Sequence, residues 1–562
     1  MGVDIVFSPS GRRGDVPVGT TVLDAARELG VDIDSVCGGR AICGRCQVSI
    51  VPGTPDVDVS APGPAETSAY RGRRPLAAGH RLSCQVAALR NLVVDVPPES
   101  QVHRQVVRKR IEVDDMEIDP VLRLHYVEVE EPDMHRQASD LTRLRRALAE
   151  QWSPDYADIG IDPIVLPHLQ SVLRAGRWAV TVAVHDGSTI IAVWPGYRDR
   201  AFGMSFDIGS TTIAGHLMNL ASGTELVAAG RMNPQIRFGE DLMSRVSYSM
   251  LHPEGAGEMT AAVRSAIDGL IGDMAGAAGI ERTDVLELTF VGNPIMHHLF
   301  LGVDPVQLGV APFALAVDSS LDLAARALDL AVNPGARAYV LPCIAGHVGA
   351  DAAAAALSEG PHKATDIQLL VDVGTNAEIM LGSRERLLAA SSPTGPAFEG
   401  AEISSGQRAA PGAIERVRID RATLEPRFRV IGSDLWSDEP GFDESVAEFG
   451  VTGICGSGII EVVAEMYMSG IVTRDGVITG SDRSHRISEQ GRTHAYTLVD
   501  GPRPIVITQP DVRAIQLAKA ALHAGVKLLM DRLGVDRVDE IRLAGAFGNH
   551  IDPTYAMVLG LI

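Results

Sequence analysis

Aromatic side chains are scarce in this chain, at 4% of 562 residues, and cysteine is scarcer, at six residues. So few thiols in so long a chain exclude a disulfide framework. No uninterrupted apolar run reaches about 18 residues, which excludes a transmembrane helix. Met1 to Ser8 carries neither a basic segment nor a long apolar one, so no secretory signal is expected. Positive charge is also short: 50 Lys plus Arg face 71 Asp plus Glu, a net charge of −21. No surplus of cations is left to neutralise the phosphates of a nucleic acid. The expectation is a cytoplasmic protein, where thiolates survive, with neither a nucleic-acid nor a membrane partner.

What is present is organised around four of the six cysteines. The stretch Cys37-Gly38-Gly39-Arg40-Ala41-Ile42-Cys43-Gly44-Arg45-Cys46 places three thiols close together, and Cys84 follows in Leu82-Ser83-Cys84-Gln85. A loop that wraps a [2Fe–2S] cluster, with a last ligand from a later strand or turn, needs this arrangement. Gly38, Gly39 and Gly44 permit unusual backbone angles and let N–H groups turn toward cluster sulfides. A zinc site with four cysteine ligands is the alternative, because Cys43-x2-Cys46 is also a zinc-knuckle spacing. Structural zinc sites usually pair two knuckles, and one is present. Arg40 and Arg45 lie inside the loop, where they tune the potential, steer an acidic donor or are merely solvated. Cys343 and Cys455 stand alone and read as small buried apolar side chains.

Around the cysteines, Asp4 to Phe7 reads as a strand and Val16 to Thr20 as a second. Thr20 or Thr21 can cap a helix from Val22 to Leu29, and Gly30 closes it. Gln47 to Val51 and Leu92 to Val96 are further strands. Residues 1–95 hold ten Arg, no Lys and ten acidic residues, so all the net acidity lies beyond them. The order of elements resembles the β-grasp [2Fe–2S] ferredoxins, and the spacing Cys37-x5-Cys43-x2-Cys46 is similar to the adrenodoxin type.

Length alone calls for three or more domains. Residues 97–125 read as a linker, opened by the stiff Val96-Pro97-Pro98 and continued by a polar, basic run. Residues 126–202 read as a small α+β middle domain. Val127 and Val129 mark a strand. Leu141, Leu144 and Leu148 mark an amphipathic helix beginning near Ser139, and Trp178 to Trp194 form a hairpin turning at Asp186-Gly187. Nothing in it looks catalytic, so its expected role is interdomain positioning or homodimerisation.

From residue 203 onward, alanine- and glycine-rich α/β segments run to the end and contain a repeat. Met204 to Ile213 carries Asp207-Ile208-Gly209-Ser210-Thr211-Thr212 between two apolar strands. The pattern returns 165 residues later as Asp372-Val373-Gly374-Thr375-Asn376 within Leu369 to Ile379. A positive φ is expected at each glycine. Successive N–H groups and hydroxyls then face one small volume, which suits a phosphate, and the adjacent Asp can hold hydrated Mg²⁺. The pair resembles the two phosphate hairpins of the sugar kinase/chaperone/actin superfamily of ATPases. That resemblance implies ATP, and catalytic roles for Asp207 and Asp372. It also implies that Gly349 to Leu357 is the connecting helix, with Asp351 orienting water or metal, an ordinary acid in the first turn of a helix being the alternative. Gly456, opening a helix after Ile454-Cys455, becomes a ribose or anion contact, with a plain helix start as the alternative. Gly545 and Gly548, after the helix Val512 to Leu533, become adenosine contacts. Residues 203–562 are thus expected to be an actin-like ATPase fold of two repeated α/β halves. Superfamily members carry one more helix, so the true C-terminus is expected to be missing.

A [2Fe–2S] domain fused to such an ATPase resembles the reductive activators of corrinoid proteins. Asn233-Pro234-Gln235, Phe238-Gly239-Glu240-Asp241, Val291-Gly292-Asn293-Pro294 and Ser392 to Ile403 are similar to stretches of that family, although Glu240 stands where a smaller residue is expected. The resemblance implies an ATP-dependent activase that passes one electron to cobalt(II) of a corrinoid protein or corrinoid methyltransferase, restoring cobalt(I). The step is uphill for a ferredoxin-type donor, and each gap of about 59 mV in a one-electron couple is a factor of ten. It further implies an upstream low-potential donor: a reductase, flavodoxin or ferredoxin. Three alternatives stand beside it: an ATP-driven activator of another low-potential metalloenzyme, a redox-sensing ATP-dependent regulator, and a small-molecule kinase with an appended ferredoxin.

Overall fold

The computed structural model describes residues 2–8, 12–31, 33, 35, 41, 44–50, 58–67, 76–97, 100, 118–239, 241–374, 376–395, 397–398, 400, 403–480, 482–501, 504–548 and 550–562. Contacts divide the chain into two compact units. One comprises Met1–Val106, Ile236–Tyr248 and Ala355–Ile562, the other Val107–Gln235 and Ser249–Ala354.

The N-terminal domain belongs to the first unit. Its strands β1 (Gly2–Ser8), β2 (Arg12–Pro17), β3 (Gln47–Ile50), β4 (His80–Leu82) and β5 (Leu92–Asp95) form one sheet in the order β2-β1-β5-β3-β4. The strand expected over Val16 to Thr20 lies earlier. The chain turns after Pro17, with the Thr20 amide bonded to the Pro17 carbonyl and Gly19 at φ 93°. Helix α1 (Val22–Glu28) starts where Thr21 accepts from the Asp24 amide at 3.1 Å, and Gly30 leaves it at φ 68°. Its inner face, with Val22, Leu23, Ala25 and Ala26, packs into the core holding Ile5, Phe7 and Val94. Glu66 is buried beside β4. It accepts from Arg81 Nη2 at 2.7 Å, Arg81 Nε at 2.9 Å and the Leu82 amide at 2.9 Å. A buried carboxylate is tolerated when it is paired in this way.

In the second unit, β6 (Leu122–Glu128) begins ahead of the expected 126 boundary. Helix α2 (Asp140–Gln151), capped by Ser139, then β7 (Gly160–Ile161), α3 (Leu166–Ala175), β8 (Ala179–His185) and β9 (Thr189–Pro195) complete a small α+β layer with strand order β6-β8-β9-β7. A six-stranded sheet follows, in the order β12-β11-β10-β13-β15-β14. It is built from β10 (Phe202–Ile208), β11 (Thr212–Asn219), β12 (Thr224–Met232), β13 (Val285–Gly292), β14 (Leu321–Ala324) and β15 (Arg337–Val340), with helices α4 (Gly255–Ala278) and α5 (Pro294–Leu301) between strands. The two sheets are interlocked. Arg326 pairs with the buried Asp162 at 3.1 Å, Arg198 with Asp284 at 2.9 Å and His185 with Glu287 at 3.3 Å. A Cβ at Gly335 would lie 1.8 Å from the Ile191 carbonyl oxygen, so only glycine allows that approach. Burial lowers the His185 pKa, but Glu287 and Asp322 outweigh it and the net shift is upward. Burial raises that of Glu287.

Helix α6 (Ala350–Glu359) leads back to the first unit. There β16 (Gln368–Val373), β17 (Ala377–Ser383) and β18 (Arg386–Ser392) pair with the late strand β25 (Glu540–Ala544) in the order β18-β17-β16-β25. Between them lie the three-stranded sheet of β19 (Ala413–Ile419), β20 (Pro426–Val430) and β21 (Gly453–Ile454), and helix α7 (Gly456–Met468). A second three-stranded sheet follows, of β22 (Ile487–Gln490), β23 (Thr493–Val499) and β24 (Ile505–Thr508), and then α8 (Gln509–Leu533). Strand β25 (Glu540–Ala544) and helix α9 (Pro553–Leu559) end the chain. Helix α8 begins ahead of the expected Val512, because Thr508 and Asp511 form a capping box and Pro510 occupies the first turn. The repeat seen in the sequence is a repeat of topology. In both copies an antiparallel meander (β12-β11-β10, then β18-β17-β16) is extended by one parallel strand, β13 or β25. Among the described residues, no helix is long and apolar enough to cross a membrane.

Candidate iron–sulfur and nucleotide sites

Cys46 and Cys84 are brought together by β3 and β4. The Ser83 amide bonds the Cys46 carbonyl at 2.8 Å, and Glu66 fixes the Leu82 amide just before. The two sulfurs are 3.5 Å apart, both residues are buried and neither is oxidised. A disulfide needs about 2.05 Å. Two thiolates on one tetrahedral metal, with bonds of about 2.3 Å, lie about 3.8 Å apart. The pair therefore fits two ligands of a single metal ion. Cys37 and Cys43, with Gly38, Gly39 and Arg40, lie outside the described residues. Gly44 takes φ 68°, and the Gln47 side chain donates to its carbonyl at 2.8 Å while accepting from the Ala77 amide at 2.9 Å. Arg45 is not a solvated charge: it is 6% exposed, and its Nη2 donates to the Gly400 carbonyl at 2.8 Å.

The first Asp-x-Gly hairpin belongs to the second unit. Asp207 pairs with Ala214 on one side and Val291 on the other, near the end of β10. The Gly209 amide bonds the Thr212 carbonyl at 3.1 Å, closing the turn that carries Ser210 and Thr211. The expected positive φ at Gly209 is absent. What demands glycine there is proximity, since a Cβ would lie 2.7 Å from the Thr212 carbonyl oxygen. Asn233, 1% exposed, clamps this turn: its Nδ2 donates to the Gly209 carbonyl at 2.8 Å and its amide to that of Thr211 at 2.9 Å. Its Oδ1 accepts from the Gln235 amide at 2.9 Å.

Asp351 meets the same corner. A Cβ at Gly292 would lie 2.9 Å from the Ile208 carbonyl oxygen. One at Gly349 would lie 2.6 Å from the Gly292 carbonyl oxygen and 2.6 Å from Asn293 Cα. Glycines thus bring the ends of β10 and β13 and the start of α6 into direct contact, and Asp207 and Asp351 to one end of the sheet. Asp351 Oδ1 accepts from the Ala352 amide at 2.8 Å, in the first turn of its helix. Nearby Cys343 is buried, and burial followed by the charge of Asp351 pushes its thiol up to about 12, which leaves it inert. His298 uses both ring nitrogens structurally, on the Pro294 carbonyl and the Ala316 amide. Burial, then the neighbouring His298, lowers His297 to about 4. Both histidines are neutral packing groups.

The second hairpin belongs to the first unit. The Gly374 amide bonds the Asn376 carbonyl at 3.1 Å, and Thr394 Oγ1 donates to the Gly374 carbonyl at 3.1 Å. Thr375 and Glu240 lie outside the described residues. Asp372 pairs with Ala544 of β25. The next residue, Gly545, stands at φ 85°, and a Cβ there would fall 2.0 Å from Asp372 Oδ1. This brings two residues expected at the site together and gives Gly545 a reason beyond its turn. Gly548 closes the single helical turn Gly545–Gly548. Gly456 opens α7 behind Cys455, whose Sγ lies 3.2 Å from the Ile414 carbonyl oxygen. That helix start is buried, and Gly458 allows its close packing on β19. Asn233 and Thr394 carry the hairpins' support. The sequence placed both in family-like stretches without assigning a role, since a clamp 24 residues from its carbonyl has no local signature.

Residues 6–89 match the 2Fe-2S iron-sulfur cluster binding domain family. Residues 111–200 match the RACo linker region, 202–364 the RACo middle region, and 366–562 the C-terminal domain of RACo, the ASKHA domain. The corrinoid activation enzyme RamQ of Eubacterium limosum is 29% identical over 568 residues, spanning 98% of this chain and 87% of the relative. The [Co(II) methylated amine-specific corrinoid protein] reductase of Methanosarcina barkeri is 27% identical over 50% of this chain and 52% of its own length. Among solved structures, a reductive activator for corrinoid, iron-sulfur protein superposes with a TM-score of 0.70 at 30% identity, covering 100% of this chain and 88% of that one.

Proposed function

Because the chain belongs to the family of reductive activators of corrinoid proteins, we propose that it uses ATP to return cobalt(II) of a corrinoid protein or corrinoid methyltransferase to cobalt(I). The observation that carries this reading is the union, in one chain, of the Cys46–Cys84 sulfur pair at 3.5 Å with two Asp-x-Gly hairpins on sheets of matching topology. Neither a free ferredoxin nor a plain kinase requires both.

In this reading Cys37, Cys43, Cys46 and Cys84 hold a [2Fe–2S] cluster, which supplies one electron at a time when bound. Buried walls around Cys46 and Cys84 keep water from the sulfurs, and the Gln47 and Glu66 contacts hold the two thiolates in register. Backbone amides and hydroxyls of Gly209 to Thr212 and of Gly374 to Asn376 bind phosphate oxygens. The Asp beside each hairpin, Asp207 in one and Asp372 in the other, would hold a hydrated Mg²⁺, and Asp351 would orient water or metal. Gly456, Gly545 and Gly548 line the nucleoside. ATP hydrolysis drives motion of the two halves and gates electron return. The upstream electron comes from a low-potential reductase, flavodoxin or ferredoxin, in the cytoplasm, and the small domain positions the other domains or dimerises.

The test uses the cluster-loaded protein, a strong reductant and a cobalt(II) corrinoid protein. Cobalt(I) absorbance should rise only with ATP and Mg²⁺, over many turnovers. Cobalt(I) formation independent of ATP, or a single stoichiometric event, refutes the reading.

A further inference from the structure

A buried bond joins the end of the cluster loop to the C-terminal part of the same unit. Arg45 lies immediately before Cys46, and its guanidinium reaches the Gly400 carbonyl across 355 residues of sequence. That carbonyl is held by its own turn. Gly400 stands at φ 82°, its amide bonds the Ala397 carbonyl at 3.1 Å, and a Cβ on it would lie 2.7 Å from the Gln407 carbonyl oxygen. Gly406 packs against it so closely that a Cβ there would lie 2.1 Å from the Gly400 oxygen.

The loop carrying Gly400 is anchored at functional points on both sides. Before it, Thr394 donates to the Gly374 carbonyl in the second hairpin. After it, the Ser404 amide donates to Asp511 Oδ1 of α8 at 2.8 Å. The Gln407 amide donates to the Ile454 carbonyl at 2.9 Å, just ahead of Gly456. A shift of the Gly374 carbonyl is therefore passed through Thr394 to the turn that presents the Gly400 oxygen. A buried guanidinium that loses an acceptor is strongly disfavoured, so the bond must follow the turn or break.

We propose that Arg45 is a positioning residue that links nucleotide state to cluster state, by latching the cysteine loop onto the loop that supports the second phosphate hairpin. The proposal rests on the reading of that hairpin as a phosphate site. Linkage makes the coupling reciprocal: if nucleotide shifts the cluster potential, the redox state shifts nucleotide affinity by the same factor. A tenfold difference in affinity corresponds to about 59 mV in midpoint potential for one electron.

The experiment uses the full, cluster-loaded chain and a non-hydrolysable ATP analogue with Mg²⁺. Hydrogen exchange is followed in peptides spanning 392–407, the midpoint potential is titrated with and without analogue, and analogue binding is measured by fluorescence. In the native protein the analogue should shift the potential. Arg45→Gln should accelerate exchange in 392–407 about tenfold or more, the effect of losing one charge-assisted bond, and abolish the shift. Arg45→Lys, which keeps a charged donor, should retain part of both. Gly400→Ala approaches the same latch without touching the cysteine loop and should also abolish the shift, which keeps the test valid if Arg45→Gln loads cluster poorly. Unchanged exchange in Arg45→Gln, or an undiminished shift in both variants, overturns the latch. Saturable binding with no shift in the native protein overturns the linkage and leaves the ATPase reading standing. Absence of any binding overturns that reading and the linkage with it.

Discussion

Replacing Glu66 by Ala tests how the fourth cysteine is held. Glu66 is 8% exposed and accepts three hydrogen bonds, two from the Arg81 guanidinium and one from the Leu82 amide. The side chain of Arg81 is itself 15% exposed, so removing the carboxylate strands a largely buried cation. Breaking a buried pair from one side costs about 3–5 kcal/mol. Arg81 also donates to the Ser60 carbonyl at 3.0 Å and can lean toward solvent, which argues for the lower end, about 3 kcal/mol. A whole domain is stable by only about 5–15 kcal/mol, so this is a large share. The damage falls on the site, because Leu82 directly precedes the Ser83 amide that bonds the Cys46 carbonyl. The assay is decay of cluster absorbance under a chelator, together with denaturant unfolding of the cluster-bearing domain followed by the same chromophore. Glu66→Ala should lose its cluster at least tenfold faster and unfold at lower denaturant, with Glu66→Gln between it and the native protein. A cluster lifetime and midpoint equal to the native values would refute the claim that this ion pair holds Cys84 in place.

Further outcomes follow from the same geometry. Asn233→Ala leaves the Gly209 carbonyl and the Gln235 amide without their side-chain partners; unsatisfied buried groups cost about 1–3 kcal/mol each, so chemical denaturation should show a loss of about 2–6 kcal/mol, with weaker binding of a fluorescent ATP analogue. Gly545→Ala combines a φ of 85° with a Cβ that would run into Asp372; it should lose about 1–3 kcal/mol and weaken nucleotide binding more than Gly534→Ala, a helix-end change at φ 77° with no atom within 4 Å of its Cβ. The His185–Glu287 pair should make stability fall as pH rises. Both groups hold a proton more tightly in the folded state, so the His185 contribution is complete below its ordinary value of about 6.5 and is lost as pH passes through the raised folded value. Melting temperatures of the native protein and His185→Gln, compared from pH 5.5 upward, should therefore converge; a difference that widens with pH contradicts the assignment.

Local chemistry was legible in the sequence wherever its cause lies within a few residues. Thr21 and Ser139 announce their helices because an N-cap acts across three residues. The two Asp-x-Gly hairpins announce themselves because a turn and the strands beside it form one short pattern. Causes that cross the fold were not legible. Arg45 could have been a tuning charge or a solvated one, and only the arrival of Gly400 from the other end of the chain decides. Gly209 looked like a residue chosen for positive φ, yet its constraint is the Thr212 carbonyl pressed against it. Gly545 pointed to an adenosine contact, while the Asp372 carboxylate occupies the side where a Cβ would stand. A glycine in a sequence states that a side chain is avoided; it does not state whether a close neighbour or a positive φ is the cause.

The joint between the small four-stranded sheet and the six-stranded one has a mechanical consequence. Joints built to move are lined by adaptable side chains that can slide. Here backbone meets backbone at Gly335 and Ile191, and the ion pairs of Asp162, Asp284 and Glu287 brace the seam along its length. Such a seam resists sliding between the two sheets. A turn of β10 and its hairpin is therefore expected to carry β6–β9 with it. A spectroscopic label on the exposed Trp152 position would therefore report the rotation of β10 and its hairpin without touching them.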